Sequence, residues 1–138
     1  SEEKKVLIEK AKEASFSAYA PYSKFSVGAA VLLENGIVVV GNNQENVAYP
    51  SGLCAERTAL FAANANYPNV APKALAIAAQ TGGKFLEKPI SPCGSCRQVI
   101  LEAEKRFGKE IVMLLFGEKN IYEVTSVRSL LPLAFDEI

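Results

Sequence analysis

The sequence has no histidine, no tryptophan and only one methionine in 138 residues. Without histidine, no site that depends on an imidazole is possible, and this excludes the mixed histidine and cysteine zinc sites. There is no excess of either charge, because 15 basic residues balance 15 acidic ones, and this argues against a general nucleic-acid binder. No apolar run reaches the roughly 20 residues that cross a membrane, so we expect no membrane partner.

Cysteine is also scarce, and its placement is informative. The only three are Cys54, Cys93 and Cys96, which lie in two short segments. An odd number does not suit a disulfide framework, and in a reducing compartment the thiols would stay available as thiolates. Because no signal-peptide core is seen, we expect a cytoplasmic protein. With no repeat or linker, we expect residues 1–138 to form a single domain.

The hydrophobic pattern predicts the element order α-β-β-α-β-α-β-β-α. The predicted helices cover residues 2–18, 54–66 and 93–107, with a last helical turn at 127–131, and the strands cover 27–34, 37–41, 74–79, 111–116 and 121–125. Asn35-Gly36 favours the positive φ angles of a type I′ hairpin turn. A three-layer α/β/α sandwich with a five-stranded mixed sheet fits this order. Each cysteine segment then falls at a helix start, where ligand sites of open α/β sheets gather.

The two cysteine segments have the composition of a hydrolytic zinc site. A catalytic zinc ion keeps three protein ligands and one open position, and three cysteines match that count. Glu56 follows Cys54 by two residues and is the carboxylate placed to move protons between water and a substrate. Three thiolates overcompensate the charge of Zn²⁺ and weaken its pull on bound water. Arg57 or Arg97 could donate to the thiolates and restore some Lewis acidity, and we favour Arg57.

Two other interpretations of the cysteines remain open. The spacing Cys93-x-x-Cys96 is also typical of a redox pair, although that function leaves Cys54 and Glu56 without a role. A structural zinc usually has four protein ligands, and with no fourth cysteine a carboxylate such as Glu56 would have to complete the site.

A Cys-x-Glu segment followed by Pro-Cys-x-x-Cys is the pattern of zinc-dependent nucleobase deaminases. The chain resembles the small, homo-oligomeric cytidine deaminases nearly end to end. Four stretches carry the resemblance: Tyr-Ala-Pro-Tyr-Ser-Lys-Phe with Val-Gly-Ala-Ala in residues 19–30, Asn-Gln-Glu-Asn in 43–46, Cys-Ala-Glu-Arg-Thr-Ala in 54–59, and Ser-Pro-Cys-Gly-Ser-Cys-Arg-Gln in 91–98.

The resemblance implies an activity and a set of site residues. The activity is hydrolysis of cytidine, and of deoxycytidine, to the uracil nucleoside and ammonia in pyrimidine salvage, by a homotetramer with shared active sites. One zinc ion per chain would lie on Cys54, Cys93 and Cys96, with Glu56 as the catalytic residue. The implied substrate contacts are Asn43 and Glu45 to the ribose hydroxyls, Phe25 to the pyrimidine, the Ala55 backbone N–H to the base carbonyl, Tyr49 near a subunit boundary, and Phe135 from a neighbouring subunit.

Three alternatives remain beside this activity. An aminohydrolase of a cytosine-bearing antibiotic such as blasticidin S has the same cysteine and glutamate plan, although the ribose-type residues Asn43 and Glu45 argue against it. A nucleic-acid editing enzyme is disfavoured by the balanced charge and by the lack of a basic strand-binding segment. A non-catalytic interaction module stabilised by zinc would bind the metal but release no ammonia.

Overall fold

The structure is a computed structural model that describes residues 1–138. Its helices are α1 (Glu2–Ser15), α2 (Ala55–Asn66) and α3 (Gly94–Phe107). Its strands are β1 (Ser26–Leu33), β2 (Val38–Asn42), β3 (Pro72–Thr81), β4 (Lys84–Phe85), β5 (Val112–Phe116) and β6 (Ile121–Val124), and short 3-10 turns occur at Tyr49–Ser51 and Val127–Leu130. None of the helices combines the length and the hydrophobicity that a membrane span requires.

The strands form one mixed sheet in the order β2-β1-β3-β5-β6. Only β3 and β5 run parallel, with Ala74 opposite Val112 and Ile77 opposite Leu115. The other neighbours are antiparallel, and the two-residue strand β4 extends the sheet beside the end of β3. The predicted five-stranded mixed sheet is therefore confirmed, with β4 as a short addition that its length hides from a sequence pattern.

The helices cover both faces of this sheet. Helix α1 packs its buried Leu7, Ile8 and Ala11 against one face. Helices α2 and α3 share a second apolar cluster on the opposite face, where Leu60 and Ile100 are both fully buried. Side chains alternate between the faces of a strand, so β1, β3 and β5 supply residues to both clusters. The predicted three-layer sandwich is confirmed, and the helices that begin at the two cysteine segments lie in the same layer.

A glycine in β2 sets how closely α2 approaches the sheet. A Cβ atom on Gly41 would lie 2.5 Å from the Ala59 backbone nitrogen and 2.9 Å from the Ala55 carbonyl oxygen. Real Cβ contacts are longer than this, so any side chain at Gly41 would push the helix away. The close approach fixes the height of the first turn of α2 above the sheet.

Several predicted boundaries are wrong. Helix α1 ends at Ser15 and not at residue 18, because the Ser15 hydroxyl donates to the Lys12 carbonyl oxygen and the next residues turn. The hairpin between β1 and β2 exists, but only Gly36 has a positive φ, of 87°, so the turn is not type I′. Gly36 donates to the Leu33 carbonyl oxygen at 2.9 Å, which matches a three-residue loop closed by a left-handed glycine.

Candidate active site

The N-termini of α2 and α3 bring the three cysteines together. Cys54 is the N-cap of α2, Cys93 is the N-cap of α3, and Cys96 lies in the first turn of α3. Their Sγ atoms all lie within 4.8 Å of one another, and the Cys54 and Cys93 sulfurs are 3.7 Å apart. Neither sulfur makes a capping hydrogen bond to the start of its own helix, and the two sulfurs face each other.

The sulfur cluster has the dimensions of a zinc site. Two thiolates that each bind a tetrahedral zinc at about 2.3 Å lie about 3.8 Å apart, close to the observed separation of Cys54 and Cys93. No aspartate or glutamate joins the three sulfurs, and Glu56 is not part of the group. The donor set therefore suits a zinc ion with three protein ligands and an open fourth position, and it does not suit a closed structural site.

The pKa values of the Cys54 and Cys96 thiols are shifted in opposite directions. A hydrogen bond from Cys96, and then the Arg57 guanidinium, lower the pKa of Cys54 to about 5. The pKa of Cys96 is raised, first by the neighbouring Cys54 sulfur and then by burial. A cation that replaces the thiol protons would hold all three sulfurs charged.

Arg57 is the arginine that contacts the sulfurs. Its Nη2 atom donates to the Cys54 Sγ at 3.6 Å. Its Nε atom is the one buried side-chain nitrogen or oxygen in the chain that has no hydrogen-bond partner. Arg97, the other candidate, turns away and donates to the Pro92 and Leu130 carbonyl oxygens at 2.8 and 2.7 Å. Arg97 instead links the segment before α3 to the C-terminal segment.

Glu56 is the second residue of α2 and is only 5% exposed. Burial, and then the negative charge of Cys54, raise its pKa from 4.5 to about 7. A carboxyl group with such a pKa exchanges its proton readily at neutral pH, which is the requirement for general acid-base catalysis. The arrangement therefore combines a three-thiol metal site with a proton-transfer group two residues from one of the sulfurs.

A cavity of about 520 Å³ opens beside this cluster. It is lined by eleven residues, which are Tyr22, Ser23, Asn43, Gln44, Glu45, Asn46, Tyr49, Gly52, Leu53, Cys54 and Arg57. The loop after β2 folds back on itself, because Gln44 and Leu53 exchange backbone hydrogen bonds of 2.9 Å. Residues 43–46 are thereby placed next to Cys54.

The two polar residues predicted to bind ribose already hold backbone groups. The Asn43 side chain accepts from the Val27 N–H at 2.9 Å and donates to the Phe25 carbonyl oxygen at 2.8 Å. The Glu45 carboxylate accepts from the backbone N–H groups of Tyr22 and Ser23. An amide and a carboxylate each have further donor or acceptor capacity, so both can still bind a ligand.

Of the remaining predicted substrate contacts, only Tyr49 lines the cavity. Ala55 is fully buried at the first position of α2, where a backbone N–H has no acceptor within the helix. Phe25 is partly buried and packs against the cluster beneath α2 and α3. Tyr49 is 76% exposed at the rim, whereas Phe135 is 71% exposed and does not line the cavity.

Six lining residues were given no role from the sequence, and they are Tyr22, Ser23, Gln44, Asn46, Gly52 and Leu53. Tyr22, Ser23 and Leu53 all lie in or beside the motifs quoted above, but each is of a common type. A tyrosine, a serine or a leucine has a structural role more often than a functional one, so residue type alone does not select them. Their spacing along the chain carries no signal because the contact between residues 22–23 and 43–45 is long-range.

The comparisons with known proteins agree with this geometry. Residues 1–114 match the family described as the cytidine and deoxycytidylate deaminase zinc-binding region. A cytidine deaminase of Sporosarcina psychrophila is 46% identical over 131 residues, which cover 95% of this chain and 90% of the relative. One of Halalkalibacterium halodurans is 43% identical, covering 96% of this chain and 94% of the relative. The crystal structure of a cytidine deaminase from Burkholderia pseudomallei superposes with a TM-score of 0.80 at 41% identity, covering 95% of this chain and 98% of that one.

Proposed function

The chain belongs to the cytidine and deoxycytidylate deaminase family, and from this membership we propose that it converts cytidine, and deoxycytidine, to the uracil nucleoside and ammonia. The protein is a zinc-dependent hydrolase. The observation that carries the proposal is the cluster of three thiols, within 4.8 Å of one another, beside the buried carboxyl group of Glu56.

Cys54, Cys93 and Cys96 would hold the zinc ion, and Arg57 would balance part of their negative charge. The zinc would supply the Lewis acidity that makes water a nucleophile at neutral pH. Arg57 acts through its donation to the Cys54 sulfur, because a thiolate that donates less charge leaves the metal more acidic.

Glu56 would carry the proton transfers. It takes a proton from water as the water oxygen bonds to C4 of the cytosine ring, and it delivers that proton to N3. It then takes the proton of the new C4 hydroxyl group and delivers it to the amine, which leaves as ammonia while the C4 carbonyl forms. A pKa near 7 suits this double role, because the group must accept and donate in one cycle.

Two of the proposed substrate contacts, Asn43 and Glu45, line the cavity. Asn43 and Glu45 would bind ribose hydroxyls, since an amide and a carboxylate together can donate to and accept from them. The free backbone N–H of Ala55 would donate to the base carbonyl, and Phe25 would contact the pyrimidine. Cytidine and deoxycytidine share the 3′-hydroxyl group, so these contacts serve both.

We further propose that residues 1–138 form one catalytic domain, in a cytoplasmic homotetramer with shared sites. The high exposure of Phe135 and its absence from the cavity lining of its own chain support a role in a neighbouring site. Tyr49, exposed at the rim, would meet the neighbour. Light scattering should give four times the chain mass, and a monomer mass would refute the assembly.

Ammonia release from cytidine tests the reaction directly. The zinc-loaded protein is compared with Glu56→Ala and with Glu118→Ala, which removes an exposed glutamate that does not line the cavity. We expect ammonia from the wild type and from Glu118→Ala, and none from Glu56→Ala at unchanged zinc content. A wild-type protein that holds one zinc per chain and releases no ammonia from cytidine or deoxycytidine would refute the proposal.

A further inference from the structure

The Ser23 hydroxyl connects two parts of the cavity wall that are distant in sequence. It donates to one oxygen of the Glu45 carboxylate, and it accepts from the Phe25 backbone N–H at 3.0 Å. The other carboxylate oxygen of Glu45 accepts from the backbone N–H groups of Tyr22 and Ser23, at 3.0 and 3.2 Å. Both carboxylate oxygens are therefore held by one short segment.

The backbone around Ser23 is shaped for this contact. Lys24 has a left-handed conformation with φ of 59°, and its N–H donates to the Ala20 carbonyl oxygen at 3.1 Å. A positive φ is uncommon for a residue with a side chain. The turn directs the Ser23 hydroxyl and two successive N–H groups toward Glu45.

We propose that Ser23 is a positioning residue for the nucleoside: its hydroxyl fixes the Glu45 carboxylate in the orientation that accepts a hydrogen bond from the ribose 3′-hydroxyl. The proposal rests on the function proposed above, in which Glu45 binds ribose. A glutamate side chain at a half-exposed position samples many rotamers, and ordering it on binding weakens affinity. Ser23 orders it before the substrate arrives.

The charge state of Glu45 supports the same role. The Ser23 hydroxyl, and after it the backbone N–H groups of Ser23 and Tyr22, lower the pKa of the Glu45 carboxyl group, although partial burial opposes them. The carboxylate then stays ionised and accepts hydrogen bonds only, as a partner for a hydroxyl donor must.

The position of the Phe25 backbone does not depend on the Ser23 hydroxyl alone. Its carbonyl oxygen is also held by the Asn43 side chain at 2.8 Å. Removing the Ser23 hydroxyl should therefore leave the Phe25 backbone in place and release mainly Glu45. This separates a loss of ribose recognition from a general collapse of the cavity wall.

Steady-state kinetics with two nucleosides test the proposal on the zinc-loaded protein. We expect Ser23→Ala to raise the KM for cytidine about fivefold to tenfold with kcat within about twofold, because uniform binding is lost. With 3′-deoxycytidine, which lacks the hydroxyl that Glu45 would bind, the increase should shrink to about twofold. Ser23→Thr keeps the hydroxyl and should restore the KM, and Ser17→Ala is the matched control at an exposed serine outside the cavity.

A second measurement detects the hydrogen bond between Ser23 and Glu45 without an activity assay. The pKa of Glu45, followed by carbon NMR of its carboxyl group, should rise in Ser23→Ala and stay low in Ser17→Ala. An unchanged pKa would overturn the proposal, and so would an equal rise in KM for both nucleosides. Failure of the underlying function looks different: the wild type would be inactive, or Glu45→Ala would keep the wild-type KM.

Discussion

Replacing Glu56 with glutamine separates proton transfer from metal binding. The amide has nearly the shape of the carboxyl group but cannot take up a proton at neutral pH. Because general acid-base catalysis contributes about 10²-fold to 10⁴-fold, we expect kcat of Glu56→Gln to fall by at least about 10²-fold. Zinc content should stay at one per chain, since Glu56 does not belong to the sulfur cluster.

The same substitution should stabilise the zinc-free protein above neutral pH. The pKa of Glu56 is 4.5 when unperturbed and is raised to about 7 in the folded chain, mainly by burial. Below pH 4.5 the group is protonated in both states and adds no pH dependence. Between pH 4.5 and 7 Glu56 is ionised in the unfolded chain but still protonated in the folded chain, so the free energy of unfolding falls by about 1.4 kcal/mol for each pH unit. Above pH 7 the total loss of unfolding free energy levels off at about 3 kcal/mol, and the Glu56→Gln variant does not undergo this loss.

Urea unfolding of zinc-free wild type and Glu56→Gln from pH 4 to pH 8 measures this difference. The unfolding free energies of the wild type and of Glu56→Gln should change with pH in the same way near pH 4 and should diverge as the pH rises, with the variant more stable at pH 8. Kinetics and zinc content of the loaded proteins are measured on the same preparations. A variant that keeps wild-type kcat would refute the proton-transfer role, and parallel stabilities up to pH 8 would refute the raised pKa.

Three further predictions concern residues that hold the site in place. Glu104 is buried in α3 and accepts from the Ile111 N–H and the Ser126 hydroxyl, both at 2.9 Å. Glu104→Ala should lower the free energy of unfolding in urea by about 3 kcal/mol, because buried donors lose their acceptor. The control Glu102→Ala, at an exposed position, should lower it little. Gly41→Ala should lower stability by about 1–3 kcal/mol through its overlap with α2, and an unchanged melting temperature would contradict that overlap. Arg57→Gln should lower the zinc affinity or kcat about 10-fold to 100-fold. Competition with a chromophoric chelator measures the zinc affinity. A variant with wild-type zinc affinity and wild-type kcat would exclude an action of Arg57 on the Cys54 sulfur.

Local chemistry made the two cysteine helices predictable almost to the residue. Gly108 takes a left-handed φ of 65° at the end of α3, the conformation that a glycine after a helix favours. The alanine-rich composition of α2 and its position after a proline-containing loop are equally local. Elements marked by such signals need no knowledge of the rest of the chain.

Elements whose ends depend on partners were predicted less well. Strand β3 covers Pro72–Thr81 and not only residues 74–79, because its extra residues pair with β1 and β4. Helix α1 stops at Ser15 although its apolar pattern continues toward residue 18. The hydrophobic pattern records which face is buried, but the neighbouring strand or loop decides where pairing ends.

The sequence by itself determined the chemistry of this protein, because ligand type and proton-transfer capacity belong to individual side chains. Three cysteines without a histidine match a catalytic zinc site with three thiolate ligands, and Glu56 follows one of them by two residues. Only the tertiary structure decided that Arg57 and not Arg97 meets the sulfurs, and that Ser23 holds Glu45. The hydrogen bonds from Ser23 to Glu45 and from Arg97 to the Leu130 carbonyl oxygen join segments that lie far apart in the chain, and a single sequence records no distance between such segments.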